Sequence, residues 1–266
     1  MARNYSAEAF VIKRSNLGEA DRLLTFLSKY RGKFTAIAKG VRKVTSRKAP
    51  NLELLNRVKA HFAKGKTFDV VVEAEAIDTY RNLKEDLGRV GFGFYLAEIT
   101  NEFLADGQGG REGFELFSKV LELIEREANL EKIKLFVRAF EIKFLDRLGF
   151  KPELDKCARC GRTLSPSANF LSPQVGGVIE KGCRGSTLSA QPISRDALVT
   201  LRFLQREDWP KIQRLAVPAT LNQEVEGLLN FYVEYLLEKE LKSPKFINKV
   251  GVFKERGPAG VKAGPK

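Results

Sequence analysis

The sequence predicts an α+β protein: a small barrel of five strands, then a helical domain interrupted by an irregular insert. Three observations carry this prediction. Over the first 76 positions apolar residues come in short runs, parted by turn residues. From Leu83 onward they recur at helical spacing. Between 151 and 190 neither period survives, and all 3 cysteines of the chain lie there.

Residues 5–14, YSAEAFVIKR, read as the first strand, closed by the turn at Leu17-Gly18. Residues 20–28 make the second, and Tyr30-Arg31-Gly32-Lys33 turns the chain into the third, 33–39. A flexible basic loop, 40–51, ends at Pro50-Asn51. The fourth strand, 54–63, places Leu55, Arg57, Lys59 and His61 on one phase and Val58, Ala60 and Phe62 on the other. Lys64-Gly65-Lys66 is a hairpin turn into a valine-rich fifth strand, 68–76. So few short strands do not make an immunoglobulin-type sandwich. They suit the closed OB-fold barrel, which commonly holds oligonucleotides. Of the aromatics Phe10, Phe26, Tyr30, Phe34, Phe62 and Phe68, most are expected inside it. Tyr30, in a turn, is placed to stack on a base.

Helices follow at about 85–106, 112–127 and 130–148, the first two parted by Gly107-Gln108-Gly109-Gly110 and the third stopped by Gly149. Ser194 is a plausible N-cap for a helix to about Gln205. Trp209-Pro210 reads as loop, and Thr220 to Gln223 as a capping box opening a helix over 221–241. The division expected is an OB-fold domain at 1–80, helical parts at 81–150 and 193–250, a zinc-finger-like insert at 151–192 and a flexible basic tail at 251–266.

With 43% hydrophobic residues the chain can bury a substantial core, and its net charge of +13 favours a polyanionic partner. The charge is uneven. Residues 1–82 are strongly basic, 83–150 slightly acidic and 151–266 basic again. Within 18–48, Arg22, Lys29, Arg31, Lys33, Lys39, Arg42, Lys43, Arg47 and Lys48 face only Glu19 and Asp21. With Arg14, Arg57 and Lys59, this set (Lys29 apart) is the candidate nucleic-acid surface. The alternative for any lysine run is a solvated charged face. Contacts of this kind neutralise phosphates and read no bases. Met-Ala-Arg-Asn-Tyr-Ser lacks the apolar core of a signal peptide, and no apolar run reaches the ~20 residues of a membrane span. A soluble, cytosolic protein is expected.

Signatures of catalysis are weak. Gly65-Lys66-Thr67 ends like a P-loop, but Ala60 stands where the motif's first glycine belongs. Gly88, Gly91 and Gly93 lie inside a helical pattern and suggest close packing. His61, the only histidine, has no nucleophile beside it in sequence and reads as a surface residue near the basic face. No enzymatic activity is expected. Cys157-Ala-Arg-Cys160-Gly161 has zinc-knuckle spacing, and Cys183 supplies a third thiol. Glu180 stands where a second pair would place its first cysteine. Either three thiolates and this carboxylate hold zinc, or the segment is a degenerate ribbon held by packing alone.

The order of these parts resembles a known family. Gly18-Glu19-Ala20-Asp21-Arg22-Leu23-Leu24-Thr25, Gly32-Lys33, Ala38 to Lys43 and Ser46-Arg47 are similar to the N-terminal signature of the bacterial recombination mediator RecO. Tyr95 to Glu98, Phe144-Leu145, Leu148 to Pro152, the Cys157/Cys160/Gly161 knuckle, Phe170 and Gly176-Gly177 resemble its later parts. The resemblance implies an OB-fold, a helical domain and a finger-like insert. It implies binding of single- and double-stranded DNA and annealing of complementary strands. It implies partnership with RecR and with the acidic tail of single-stranded DNA-binding protein (SSB), so that RecA replaces SSB on DNA. The family's four-cysteine finger would correspond to Cys157, Cys160, Glu180 and Cys183. An acidic, apolar tail needs a groove rimmed by cations. The helix from Ser194, with Arg195, Arg202 and Arg206, is the candidate. A nucleoid-associated bacterial protein is implied. An RNA-binding protein of translation or RNA processing using the same barrel is the alternative.

Overall fold

The computed structural model describes residues 4–164, 169–185 and 189–247. The expected basic tail lies outside them. Five strands come first: β1 (Asn4–Leu17), β2 (Asp21–Ser28), β3 (Gly32–Ala38), β4 (Arg57–Ala63) and β5 (Asp69–Asp78). β1 pairs antiparallel with both β2 and β4, β2 with β3, and β4 with β5. A short parallel pairing, Ala36 to Asp69 and Ile37 to Val70, closes the ring in the order β1-β2-β3-β5-β4. This is the OB-fold arrangement.

Period-two alternation aims one side of each strand inward. β3 buries Phe34, Ala36 and Ala38, and β4 buries Val58, Ala60 and Phe62. The rings of Phe26, Phe34 and Phe62 meet at 5.2–5.4 Å between centroids and fill the barrel, and Tyr5 stacks on Phe62 at 5.2 Å. Phe10 does not join them. It faces outward, against Phe114 at 4.9 Å and Phe117 at 5.1 Å. Residues 9–12 are therefore buried on both faces, Ala9 and Val11 in the barrel core and Phe10 and Ile12 in the helical core.

Helices α1 (Arg81–Glu85), α2 (Leu87–Phe103), α3 (Gly110–Arg126), α4 (Leu130–Arg147), α5 (Arg195–Arg206), α6 (Trp209–Arg214) and α7 (Ala219–Leu237) follow, and residues 243–247 are also helical. Asp86 separates α1 from α2 because its carboxylate accepts from Gly88 N and Arg89 N, capping the second helix. The glycine break before α3 is a docking point. Lys33 N donates to Gln108 O, and Gly107 N donates to Lys33 O, each at 2.7 Å. Gly32 has φ +64 and a Cβ there would lie 2.2 Å from Gln108 O, so only glycine fits. Gly93 is likewise a close approach, since a Cβ would sit 2.5 Å from Leu55 Cδ1.

Three sequence expectations need correction. Trp209-Pro210 is not loop but opens α6, because proline is tolerated in a first turn and Asp208 caps it through Lys211 N. Thr220 does not cap α7, which already begins at Ala219 after extended Pro218. That helix stops at Leu237 rather than 241, where Glu238 turns left-handed at φ +53.

The insert carries a three-stranded sheet, β7 (Gly177–Glu180), β6 (Asn169–Ser172) and β8 (Gln191–Ile193), in that order. Leu154, Leu171, Val178 and Ile193 plant it in the helical core. Deep in that core an ion pair joins Arg138 to Glu141 at 3.1 Å on α4. Tyr95 of α2 donates to Glu141, and Arg138 donates to Asn230 of α7 at 3.2 Å. Burial pushes the Glu141 carboxyl up to about 7, against the pull of Arg138 and Tyr95.

Removing one partner of this pair strands the other. Arg138→Ala should cost about 3–5 kcal/mol in urea unfolding. Glu141's folded pKa lies above its unfolded one. Its share of stability is present below the ordinary carboxylate value of about 4.3 and is lost as pH rises through about 7. The difference in stability between the native protein and Glu141→Gln, measured from pH 4 to 8, should fall across that window.

Candidate nucleic-acid interface and cysteine cluster

The strands and their loops sort the candidate cations into groups with different commitments. The loop between β3 and β4 is folded rather than free. Val41 and Leu52 are buried in the barrel core. Gly40 N donates to the Asp21 carboxylate at 2.7 Å, and Arg42 N donates to Ala20 O at 2.9 Å. Asn56 donates to Pro50 O and Asn51 O, and Asn51 accepts from Ala76 N. Lys39, just before the first of these anchors, and Lys43 and Arg47, between them, are exposed. Among the described residues no hydrogen bond or ion pair engages their side chains. Val44, between Lys43 and Arg47, is fully exposed. Arg42 spends one guanidinium nitrogen on Gly18 O, and Lys48 donates to Val71 O at 3.0 Å.

Arg14 and Arg22 share one acid, Glu53, and retain a net positive charge between them. Arg31 pairs with Asp69 at 3.2 Å and lies over the rings of Tyr5 and Phe34 at 4.1 and 4.8 Å. Beside it Tyr30 is 83% exposed, as its turn position predicts. Lys33 donates to Asn101 O at 2.8 Å, and burial lowers its pKa. It lines a cleft of about 380 Å³ with Lys13, Thr25, Thr35, Phe68 and the acids Glu102 and Asp106.

Arg57 and Lys59 stand apart from the loop. Arg57 Nε donates to Glu8 at 2.6 Å, and its guanidinium lies 5.7 Å from the Phe114 ring of α3. Lys59 is exposed, but in the ladder it sits between Glu8 and Glu75. The outer face of β1, β4 and β5 is thus a lattice of alternating charge. His61 lies on it, exposed, with Nδ1 2.7 Å from Ser6 Oγ. Sequence distance hid that serine, and only the β1–β4 register reveals it. Sequence reading also missed Lys84, whose ammonium donates to Asn56 at the edge of a cleft of about 430 Å³. Burial lowers its pKa to about 8.

On α5, Arg202 donates to Leu154 O at 2.8 Å, and both Arg202 and Arg206 pair with Asp155. They hold the entry to the insert against the helix. Arg195 is exposed.

The insert brings its cysteines together. The Sγ atoms of Cys157, Cys160 and Cys183 all lie within 4.8 Å of one another. The knuckle is built by backbone bonds, Cys157 N to Arg162 O and Gly161 N to Cys157 O, both 2.8 Å, with Gly161 at φ +75. Arg162 Nε donates to Cys160 Sγ at 3.5 Å and holds that thiol down to about 6. Hydrogen bonding to Cys160 pushes Cys183 up to about 11. Three sulfurs so placed fit a thiophilic ion. Glu180 is not in the set of mutually close ligand atoms.

Among the described residues no helix is long and apolar enough to cross a membrane. Two family models match the chain: Recombination protein O N terminal over residues 1–80, and Recombination protein O C terminal over residues 84–245. The chain is 32% identical over 260 residues to a DNA repair protein RecO of Roseiflexus, covering 97% of this chain and 90% of that one. It is 32% identical over 240 residues to a DNA repair protein RecO of Dehalococcoides mccartyi, covering 90% and 93%. It is 33% identical over 255 residues to a DNA repair protein RecO of Moorella thermoacetica, covering 96% and 94%.

The difference in commitment among the cations is measurable. Arg57→Ala should lower stability by about 1–2 kcal/mol, through its bond to Glu8 and its ring contact. Lys39→Ala, Lys43→Ala and Arg47→Ala should each stay within about 0.5 kcal/mol in the same unfolding assay.

Proposed function

This chain belongs to the RecO family of DNA repair proteins, and from that premise we propose a recombination mediator that makes and breaks no covalent bond. It binds single- and double-stranded DNA without strong sequence preference, anneals complementary strands and assists the exchange of SSB for RecA. The observation that carries the reading is the loop after β3. Its fold is pinned by Val41 and Leu52, while Lys39, Lys43 and Arg47 are left uncommitted at its surface. Because the loop backbone is already ordered, these charges screen phosphate repulsion without the cost of ordering a loop. Arg42 and Lys48 extend the set, and Arg14, Arg22, Arg31 and Lys33 flank it with charge partly spent inside the protein. Arg57 and Lys59 are the weakest members, given their acidic neighbours.

RecR and the acidic C-terminal tail of SSB are the proposed protein partners. On α5, Arg195 is the cation most available to such a tail, since Arg202 and Arg206 already hold Asp155. Unchanged affinity for an SSB-tail peptide after loss of all three arginines would move that contact elsewhere. Zinc, when bound, would supply a structural cross-link, with Cys157, Cys160 and Cys183 as the residues that hold it. The proposed setting is the bacterial cytoplasm, on the nucleoid.

The second reading, an RNA-binding OB-fold protein, is favoured only by the barrel itself. Family membership speaks for DNA. Equal-length DNA and RNA oligomers should bind with a preference for DNA, and a clear RNA preference would support the second reading. Labelled DNA should stay intact in the presence of protein, ATP and magnesium.

The salt dependence tests the charge argument. If about six phosphates of a single strand are neutralised, log K should fall against log salt with a slope near −4. Lys39, Lys43 and Arg47 all replaced by alanine should weaken binding and reduce that slope by about 2. Unchanged anisotropy titrations would place the DNA elsewhere on the chain. Annealing of SSB-coated complementary strands should decline in the same variant.

A further inference from the structure

We propose that Cys157, Cys160 and Cys183 hold one thiophilic divalent ion through three thiolates, with the fourth coordination position filled from solvent rather than by a side chain of this protein. The chain contains 3 cysteines and 1 histidine in all. The three cysteines are already in the cluster, and His61 lies on the outer face of the barrel against Ser6. Segments 165–168 and 186–188 offer no cysteine, histidine, aspartate or glutamate in sequence. A fourth protein ligand would have to be a carboxylate.

The carboxylates near the insert are otherwise engaged. Glu153 accepts from Asp155 N and Lys156 N at 2.7 and 3.1 Å. Asp155 sits between Arg202 and Arg206. Glu180, at the end of β7, is outside the group whose ligand atoms lie within 4.8 Å of one another, and its charge acts on Arg162.

The charge and exposure of the cluster suit an open position. A divalent ion on three thiolates carries a net charge of about −1, and Arg162 at the Cys160 sulfur offsets it. Cys157 is buried and anchors the set, whereas Cys160 is exposed and leaves one side to solvent. Closed four-ligand sets are the rule for structural zinc. Three protein ligands with one exchangeable donor is the arrangement that admits an outside ligand. Water occupies that position by default, and imidazole or a small thiolate displaces it.

The test uses the full chain, reduced and stripped of metal, titrated with cobalt(II) and followed by absorption and native mass spectrometry. One cobalt per chain should bind, and its bands should shift when imidazole is added. Glu180→Gln should give the same bands, with cobalt affinity changed by less than the ~10-fold typical of losing an outer-shell partner. Failure to retain cobalt would overturn the proposal. So would bands indifferent to imidazole, which mean a closed set. Bands altered by Glu180→Gln would make that carboxylate the fourth ligand. None of these outcomes involves DNA, so the site stands or falls apart from the proposed DNA binding and annealing.

Discussion

The contact between Phe10 and the pair Phe114 and Phe117 is where the barrel and the helices become one body. β1 supplies apolar side chains to two cores at once. Ala9 and Val11 point into the barrel, and Phe10 and Ile12 point into the helices. A strand buried on both faces cannot slip by one residue without exchanging its two sets of side chains. That constraint fixes the register of β1 against β2 and β4, and through them the barrel. The backbone bonds between Lys33 and the 107–108 turn, and the seating of Leu55 against Gly93, keep the barrel on the same helical surface.

A rigid barrel makes the loop after β3 a platform rather than a tether. Val41 and Leu52 belong to the barrel core, so the loop's path is set by burial. Its lysines and Arg47 are then surface groups on a fixed frame. The other cations are arranged differently. Arg14, Arg22, Arg31 and Arg57 each meet an acid, and Lys33 meets a backbone carbonyl. A cation already paired gives back less free energy to a phosphate, because the old pair must be broken first. The charge density of the first third therefore overstates its available charge, and the loop holds the larger part of what remains.

The cysteine cluster follows a similar logic. The knuckle 157–161 is formed by its own turn bonds, and Cys183 arrives on the short turn after β7. Because Leu154, Leu171, Val178 and Ile193 anchor the insert in the helical core, the sulfurs are gathered by packing. The segment holds its shape through apolar burial, and an ion would add to a frame already present.

Much of this was legible in the sequence. Alternation over 57–63 announced which side of β4 faces the barrel, helical spacing announced α2 to α4, and C-x-x-C spacing announced the knuckle. Those signals are local, and local steric and periodic rules suffice to read them. Helix ends were read less well. Thr220 looked like a cap, but α7 already begins at Ala219 after extended Pro218, and Trp209-Pro210 opened a helix that composition alone assigned to loop. Pairing was not legible at all. That Glu53 would take Arg14 and Arg22, that Arg57 would turn onto Phe114, and that Ser6 would meet His61 depends on strand register and on how the loop folds back. The sequence by itself determined the kinds of element and the sign of the surface charge. Only the tertiary structure decided which charges are spent inside the molecule, because ion pairs form between residues that register brings together and chain distance keeps apart.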